Sequence, residues 1–154
     1  MHDGSPVDPT HLDEVVAATR LVGALIAESL ADVRPALTAG QWRVIVLAAE
    51  GDVNVSALAQ DLGVHISNAT RACDRLVTAG LLDRTRSADD RRHVLLTLTP
   101  AGRRLYDGAM DYRRRRLEQA MALMTESEQA DLARCFARLV DAAAEARLLT
   151  RRDG

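Results

Sequence analysis

Residues 54 to 99 constrain this chain most: a short helix, a tight turn, a second helix with one polar face, and a hairpin whose tip reads Ser87-Ala88-Asp89-Asp90-Arg91-Arg92. The first helix reads from Val55 to Leu62. Ahead of it stands Asn54, whose side-chain oxygen can accept from an unpaired backbone N–H, and behind it Gly63, which enters left-handed geometry without steric cost. Leu58, Leu62, Val64, Ala69 and Ala72 are apolar where two crossed helices must touch, and Ala59 is small enough for close approach. On the second helix, steps of about 100° per residue turn Ala69, Ala72, Cys73 and Leu76 inward and leave Ser67, Asn68, Thr70, Arg71, Asp74 and Arg75 outward. Hydroxyls, an amide and guanidinium groups are the chemistry that reads base edges or holds phosphates.

A polar face over an apolar stripe, taken alone, says only that a helix lies at a surface. The next segment narrows this. Gly80 can end the helix, Leu81-Leu82 and Arg84 to Arg86 read as an extended arm, and His93 to Thr99 alternates with Val94, Leu96 and Leu98 on one face. Thr99-Pro100 then reads as the N-cap and first position of another helix, so the hairpin is pinned at both ends. Arg84, Arg86, Arg91 and Arg92 cluster on this hairpin, where they suit a minor groove or a line of phosphates; the plainer alternative is a solvated charge run. The combination reads as a helix-turn-helix followed by a basic β-wing, shaped to grip duplex DNA in two grooves.

The formal net charge of −2 looks wrong for such a role until it is divided along the chain. Residues 1–64 carry three arginines against nine acids, residues 65–116 twelve against six, and residues 117–154 five against seven. Positive charge is therefore concentrated in the segment read as DNA-facing. All twenty basic residues are arginine, which suits bidentate contacts to phosphate and guanine, although the absence of lysine reads first as codon bias.

Asn68-Ala69-Thr70-Arg71, Leu76-Val77, Gly80-Leu81-Leu82, Asp90-Arg91-Arg92 and Thr99-Pro100-Ala101-Gly102, at these spacings, resemble the signature of the multiple antibiotic resistance regulator (MarR) family of bacterial transcription factors. The order of elements is similar to that family from roughly Leu12 to Leu149. The resemblance implies a mainly α fold with a small β-hairpin: a winged helix-turn-helix DNA-binding lobe over residues 35–99, and a helical dimerisation region built from the N- and C-terminal helices, 10–34 and 100–149. It implies a dimeric, sequence-specific regulator, in most cases a repressor released by a small-molecule effector, on a pseudo-palindromic operator. The helix from Ser67 to Thr78 would lie in the major groove, while Asp90 orients and Arg92 inserts into the minor groove. The DNA contacts then fall on Ser67, Asn68, Thr70, Arg71, Arg75, Arg86, Asp90, Arg91 and Arg92. One departure stands at His65-Ile66, where relatives commonly read Ser-Pro and where a weaker helix cap follows. The resemblance also implies a cleft for a small aromatic or phenolic anion. Trp42, Tyr106 and Met110 are its candidate lining here, although helical apolar spacing explains all three as plain core.

The remaining segments read as helices behind a flexible arm at residues 1–9. Thr10 can cap a helix carrying Leu12, Val15, Val16, Val22, Ile26 and Val33, broken by Pro35. Thr38 with Gln41 forms a capping box ahead of Trp42, Ile45, Val46 and Ala49, and Gly51 closes that helix. A long helix runs from Pro100 to about Met124, with Arg113 to Arg116 in its middle. Four consecutive helical residues point in four directions, so the arginine run reads as solvated and paired with Asp111 and Glu118 rather than as a phosphate clamp. Thr125 with Glu128 opens a last helix with Leu132, Cys135, Phe136, Leu139, Val140 and Ala143 on one side. The terminal stripes exceed what a compact winged helix needs for its own core, which points to a homodimer with recognition helices about 34 Å apart.

Other function classes find less support. There is no Gly-rich phosphate loop, nucleophile elbow or acid–base pair for an enzyme. His2, His11, His65 and His93 are scattered, so no metal site forms, and no cofactor is implied. A thiol-based redox sensor would rest on Cys73, which faces inward, or on Cys135. A winged helix holding another protein would lack an aromatic anchor on its outward face. Leu21 to Leu30 is too short to span a bilayer, nothing resembles a signal peptide, and the chain is expected to be cytoplasmic with free thiols.

Overall fold

A computed structural model of the chain describes residues 7–34, 36–51, 53–86 and 94–146. Among the described residues, six helices and a three-stranded antiparallel sheet follow in the order α1 (Pro9–Ser29), α2 (Ala39–Glu50), β1 (Val53–Asn54), α3 (Val55–Leu62), α4 (Ile66–Thr78), β2 (Leu82–Arg86), β3 (Val94–Leu98), α5 (Pro100–Met121) and α6 (Glu126–Glu145).

Local hydrogen bonding explains most boundaries. The Thr38–Gln41 and Thr125–Glu128 capping boxes both close reciprocally. Thr99 caps α5 by accepting from the Gly102 N–H at 3.0 Å, with Pro100 at the first helical position. Asn54 accepts from the Ala57 N–H at 2.8 Å, and Gly63 leaves α3 in left-handed geometry with φ 63° and ψ 33°. After α4 the N–H groups of Gly80 and Leu81 bond back to the carbonyls of Val77 and Leu76, both at 2.9 Å, a closing turn that Gly80 allows with φ 70°.

Several expectations are corrected. The cap of α1 is Asp8, whose carboxylate accepts from the Thr10 N–H at 2.8 Å, so the helix begins at Pro9 rather than after Thr10. It also ends at Ser29, short of Val33, in a turn through residues 30–32. Pro35 lies outside the described residues. The helix α5 stops at Met121 rather than Met124. The hairpin is two-thirds of a sheet: β3 is central, pairing Leu82 with Leu98 and Arg84 with Leu96 on one side, and Val53 with Leu96 on the other. A two-residue strand carries no alternation to read, which is why β1 escapes a sequence pattern.

One apolar core joins α2, α3, α4, the sheet and the start of α5. Val44, Ile45, Val53, Leu58, Cys73, Leu76, Leu82 and Leu96 are fully buried in it. Between α3 and α4, Leu58, Ala59 and Ala69 are buried as the crossing requires, but Val64 is 40% exposed because the turn carries it past the contact. The helices α1 and α6 differ from the rest. Leu25 alone is buried on α1, and no residue of α6 is. Polar contacts anchor α1 to α5: the Tyr112 hydroxyl donates to Glu28 at 2.8 Å, and Arg113 Nε donates to Ser29 Oγ at 3.0 Å.

Candidate nucleic-acid interface

The recognition helix α4 stands on its buried side on Ala69, Cys73 and Leu76, which lock it to α3 and the sheet. That leaves Ser67, Asn68, Arg71, Asp74 and Arg75 exposed and Thr70 partly so, the outward set that helical spacing predicts. The weaker cap expected at His65 is replaced by an imidazole cap. His65 Nδ1 accepts from the Ser67 N–H at 3.3 Å and lies 3.0 Å from Ser67 Oγ, holding the first turn of the helix and one candidate contact together.

The outward side chains are organised among themselves. Arg71 donates to the Asn68 side-chain oxygen at 3.2 Å and to the Ser67 carbonyl at 3.4 Å. The Thr70 hydroxyl is turned back onto the Ile66 carbonyl at 2.8 Å, so its methyl group is the more available surface. On one flank, Asn68, Arg71 and Arg75 share a shallow cleft of about 200 Å³ with Thr38 and Gln41 at the start of α2. On the other flank, Arg84 of β2 pairs with Asp74, which takes Arg84 out of the free arginines of the wing. Arg86 ends β2 opposite Val94, at the far end of the strand from Leu82. Asp90, Arg91 and Arg92 lie outside the described residues, as does His93.

The arginine run of α5 is placed differently from the sequence expectation. Arg116 pairs across to Glu28 of α1 at 3.7 Å rather than with Asp111 or Glu118 of its own helix. Arg113 turns inward: its guanidinium sits 4.5 Å from the Trp42 ring centroid, and burial lowers its pKa. Arg113 Nη2 is buried without a hydrogen-bond partner among the described residues.

Trp42 and Tyr106 do come together, stacked with centroids 6.0 Å apart and planes 18° from parallel, and Met110 packs against the same core. Trp42 is 6% exposed and belongs to the core. Met110 also lines a groove of about 810 Å³ between α5 and α6, with Arg113, Leu117, Met121 and Gln129. Arg113 is the residue that sequence reasoning passed over. Its spacing from Tyr106 and Met110 is helical, so the same periodicity that grouped those two would have placed it on their face.

Cys73 is fully buried, and that burial pushes its thiol up to about 11, with nearby Arg84 lowering it and Asp74 raising it. A thiol that is protonated and covered is packing rather than a reactive centre. In a Cys135→Ser background, a maleimide at pH 8 is expected to label Cys73 only after denaturant is added. Labelling of the native protein at the rate of an open thiol would restore the redox reading. Among the described residues no group of three or more His, Cys, Asp or Glu is placed to hold a metal, and no helix is long and apolar enough to cross a membrane.

Comparison with known proteins places this geometry. Residues 37–94 match the model of the MarR family, a stretch that takes in α2, β1, α3, α4 and β2 and ends at the first residue of β3. The crystal structure of the RV1404 protein from Mycobacterium tuberculosis is 31% identical, with a TM-score of 0.81 over 92% of this chain and 98% of that one. Among curated proteins, the transcriptional repressor MdtR of Bacillus subtilis is 31% identical over 97 residues, 63% of each chain. The apo MarR structure from E. coli shares the fold at 24% identity and a TM-score of 0.65, covering 88% of this chain and 98% of that one. The chain spans about half the length of the curated relatives it matches.

Proposed function

The chain belongs to the MarR family of helix-turn-helix transcriptional regulators, and from that membership we propose that it is a cytoplasmic, homodimeric, sequence-specific DNA-binding repressor. The observation that carries this reading is the recognition helix: an apolar underside locked into the core and an outward face of Ser67, Asn68, Arg71 and Arg75 already arranged as donors and acceptors. Residues 35–99 form the DNA-binding lobe of this reading. Arg86, Asp90, Arg91 and Arg92 provide its wing contacts, with Arg92 entering the minor groove. The stretches 10–34 and 100–149 form the dimerisation region, supported by the uncovered apolar faces of α1 and α6.

Release by a small aromatic or phenolic anion completes the reading. The groove beside Met110 offers apolar walls, and Arg113 Nη2 offers an unused donor next to the Trp42–Tyr106 stack. An effector that fits only one spacing of the two recognition helices would shift the dimer away from its operator.

The test is binding of the purified protein to its own upstream intergenic DNA and to a scrambled duplex at two salt concentrations. Tight binding to the first alone, as a dimer, is expected. Asn68→Ala is expected to cost about 1–3 kcal/mol, concentrated at one base pair of each half-site. Equal weakening on every sequence would make Asn68 a positioning contact, and equal, salt-erased binding to both duplexes would overturn the operator reading.

A further inference from the structure

We propose that Asp74 and Arg84 form a positioning pair that sets the wing at a fixed angle to the recognition helix; this rests on the DNA-binding reading above. Asp74 is an acid on the outward face of α4, next to Arg75 in sequence and one helical turn from Arg71, where an unpaired carboxylate would face the phosphates it should avoid. Arg84 is the second core-side position of β2. In the alternation of that strand it shares a face with Leu82, which is fully buried against the core. One step further along the wing that face has left the core and lies over α4, where the Arg84 guanidinium donates to the Asp74 carboxylate.

The pair joins two elements whose backbone connection is a tight turn. Gly80 and Leu81 tie the root of β2 to the end of α4, and the Thr99 hydroxyl holds the Gly80 carbonyl at 2.6 Å. These bonds fix where the wing starts but leave its tilt about that root open. A second tie farther out, from Arg84 to Asp74, removes the tilt. Both side chains are about half exposed, so the pair adds little to stability; what it supplies is geometry, a wing and a helix presented to two grooves at once. The guanidinium fork matters here because it fixes direction as well as distance.

The test compares Asp74→Asn, Arg84→Gln and the double variant by two readouts: the ratio of affinities for the upstream intergenic duplex over a scrambled one, and amide hydrogen exchange of β2 and β3 in the free protein. A positioning pair predicts that each single variant loses about tenfold in the ratio and that the double loses no more than either, because the two act as one unit. It also predicts faster exchange in β2 and β3 with unchanged exchange in the buried turns of α4. Recovery of the wild-type ratio in the double variant would overturn the proposal, since Arg84 would then only neutralise Asp74. So would a loss confined to Arg84→Gln, equal on both duplexes and with a salt slope lower by about one, which marks a direct phosphate contact. Should the wild-type protein fail to discriminate the duplexes, the function reading falls by itself. The exchange rates then still decide the pair: faster wing exchange in both single variants supports it, and unchanged exchange overturns it.

Discussion

Leu139→Glu is expected to leave each chain folded and to abolish tight operator binding. Leu139 lies on α6 and is 50% exposed in the single chain, between Phe136 at 46% and Val140 at 56%. A substitution at such a position disturbs few contacts of its own chain, so its effect on the fold should stay within about 0.5 kcal/mol. The face it belongs to is another matter. With α1 presenting Leu12, Val15, Val16, Leu21 and Val22, each of the two terminal helices exposes a row of large apolar side chains, more than scattered single residues on a monomer surface. In the proposed dimer this face meets its own copy across a two-fold axis, so one substitution places two carboxylates in the same apolar contact, where unpaired charge is costly to bury.

The consequence for DNA follows from bivalence. Two recognition helices on one dimer make the second half-site contact intramolecular, and losing that linkage should weaken operator binding by about 100-fold or more. Sedimentation or light scattering should show a monomer, far-ultraviolet circular dichroism should keep its helical signal, and a duplex with a single half-site should bind the variant and the wild type about equally. A variant that stays dimeric with undiminished operator affinity would move the interface away from α6.

Gly102→Ala is expected to destabilise the protein by about 2 kcal/mol, although alanine is the better helix former. A Cβ at Gly102 would overlap the carbonyl oxygen of Leu81, approach its carbonyl carbon at 3.0 Å and lie 3.2 Å from Leu98 Cδ2. That carbonyl cannot move aside freely, because it accepts from the Thr99 N–H at 3.1 Å, and Thr99 in turn caps α5 through the Gly102 N–H. Overpacking against backbone costs typically about 1–3 kcal/mol and occasionally more. The gain in helix propensity returns at most about 1 kcal/mol. Equilibrium denaturation at one fixed protein concentration measures the difference, since association also contributes to the apparent stability. A variant as stable as the wild type would mean that α5 can shift away from the wing root without loss.

The two predictions touch parts of the molecule that differ in how far they can be read from the chain. The capping residues Thr38, Asn54, Thr99 and Thr125 are legible because each acts on a backbone N–H three residues away, inside one turn. The polar face of α4 is legible for the same reason: a period of 3.6 residues sorts Asn68, Arg71 and Arg75 from Ala69, Cys73 and Leu76 before any partner is known. Glycines 63 and 80 mark their turns by the backbone geometry that they alone adopt cheaply.

Other features were decided by residues far apart in the chain. The strand β1 exists because Val53 meets Leu96, and the hydroxyl of Tyr112 finds Glu28 from 84 positions away. Arg113 looked like one of four solvated arginines until Trp42 was folded beneath it, and Arg84 looked like a free wing charge until the turn at Gly80 laid β2 over Asp74. Gly102 could be read as part of a motif, but only the packed backbone of Leu81 gives the reason for a glycine there. Caps, turns and helical faces follow from the sequence because their hydrogen bonds and periodicities close within a turn or two of chain. Ion pairs, short strands and steric exclusions follow from the tertiary structure because their partners are brought together by burial of a shared core, which no local pattern encodes.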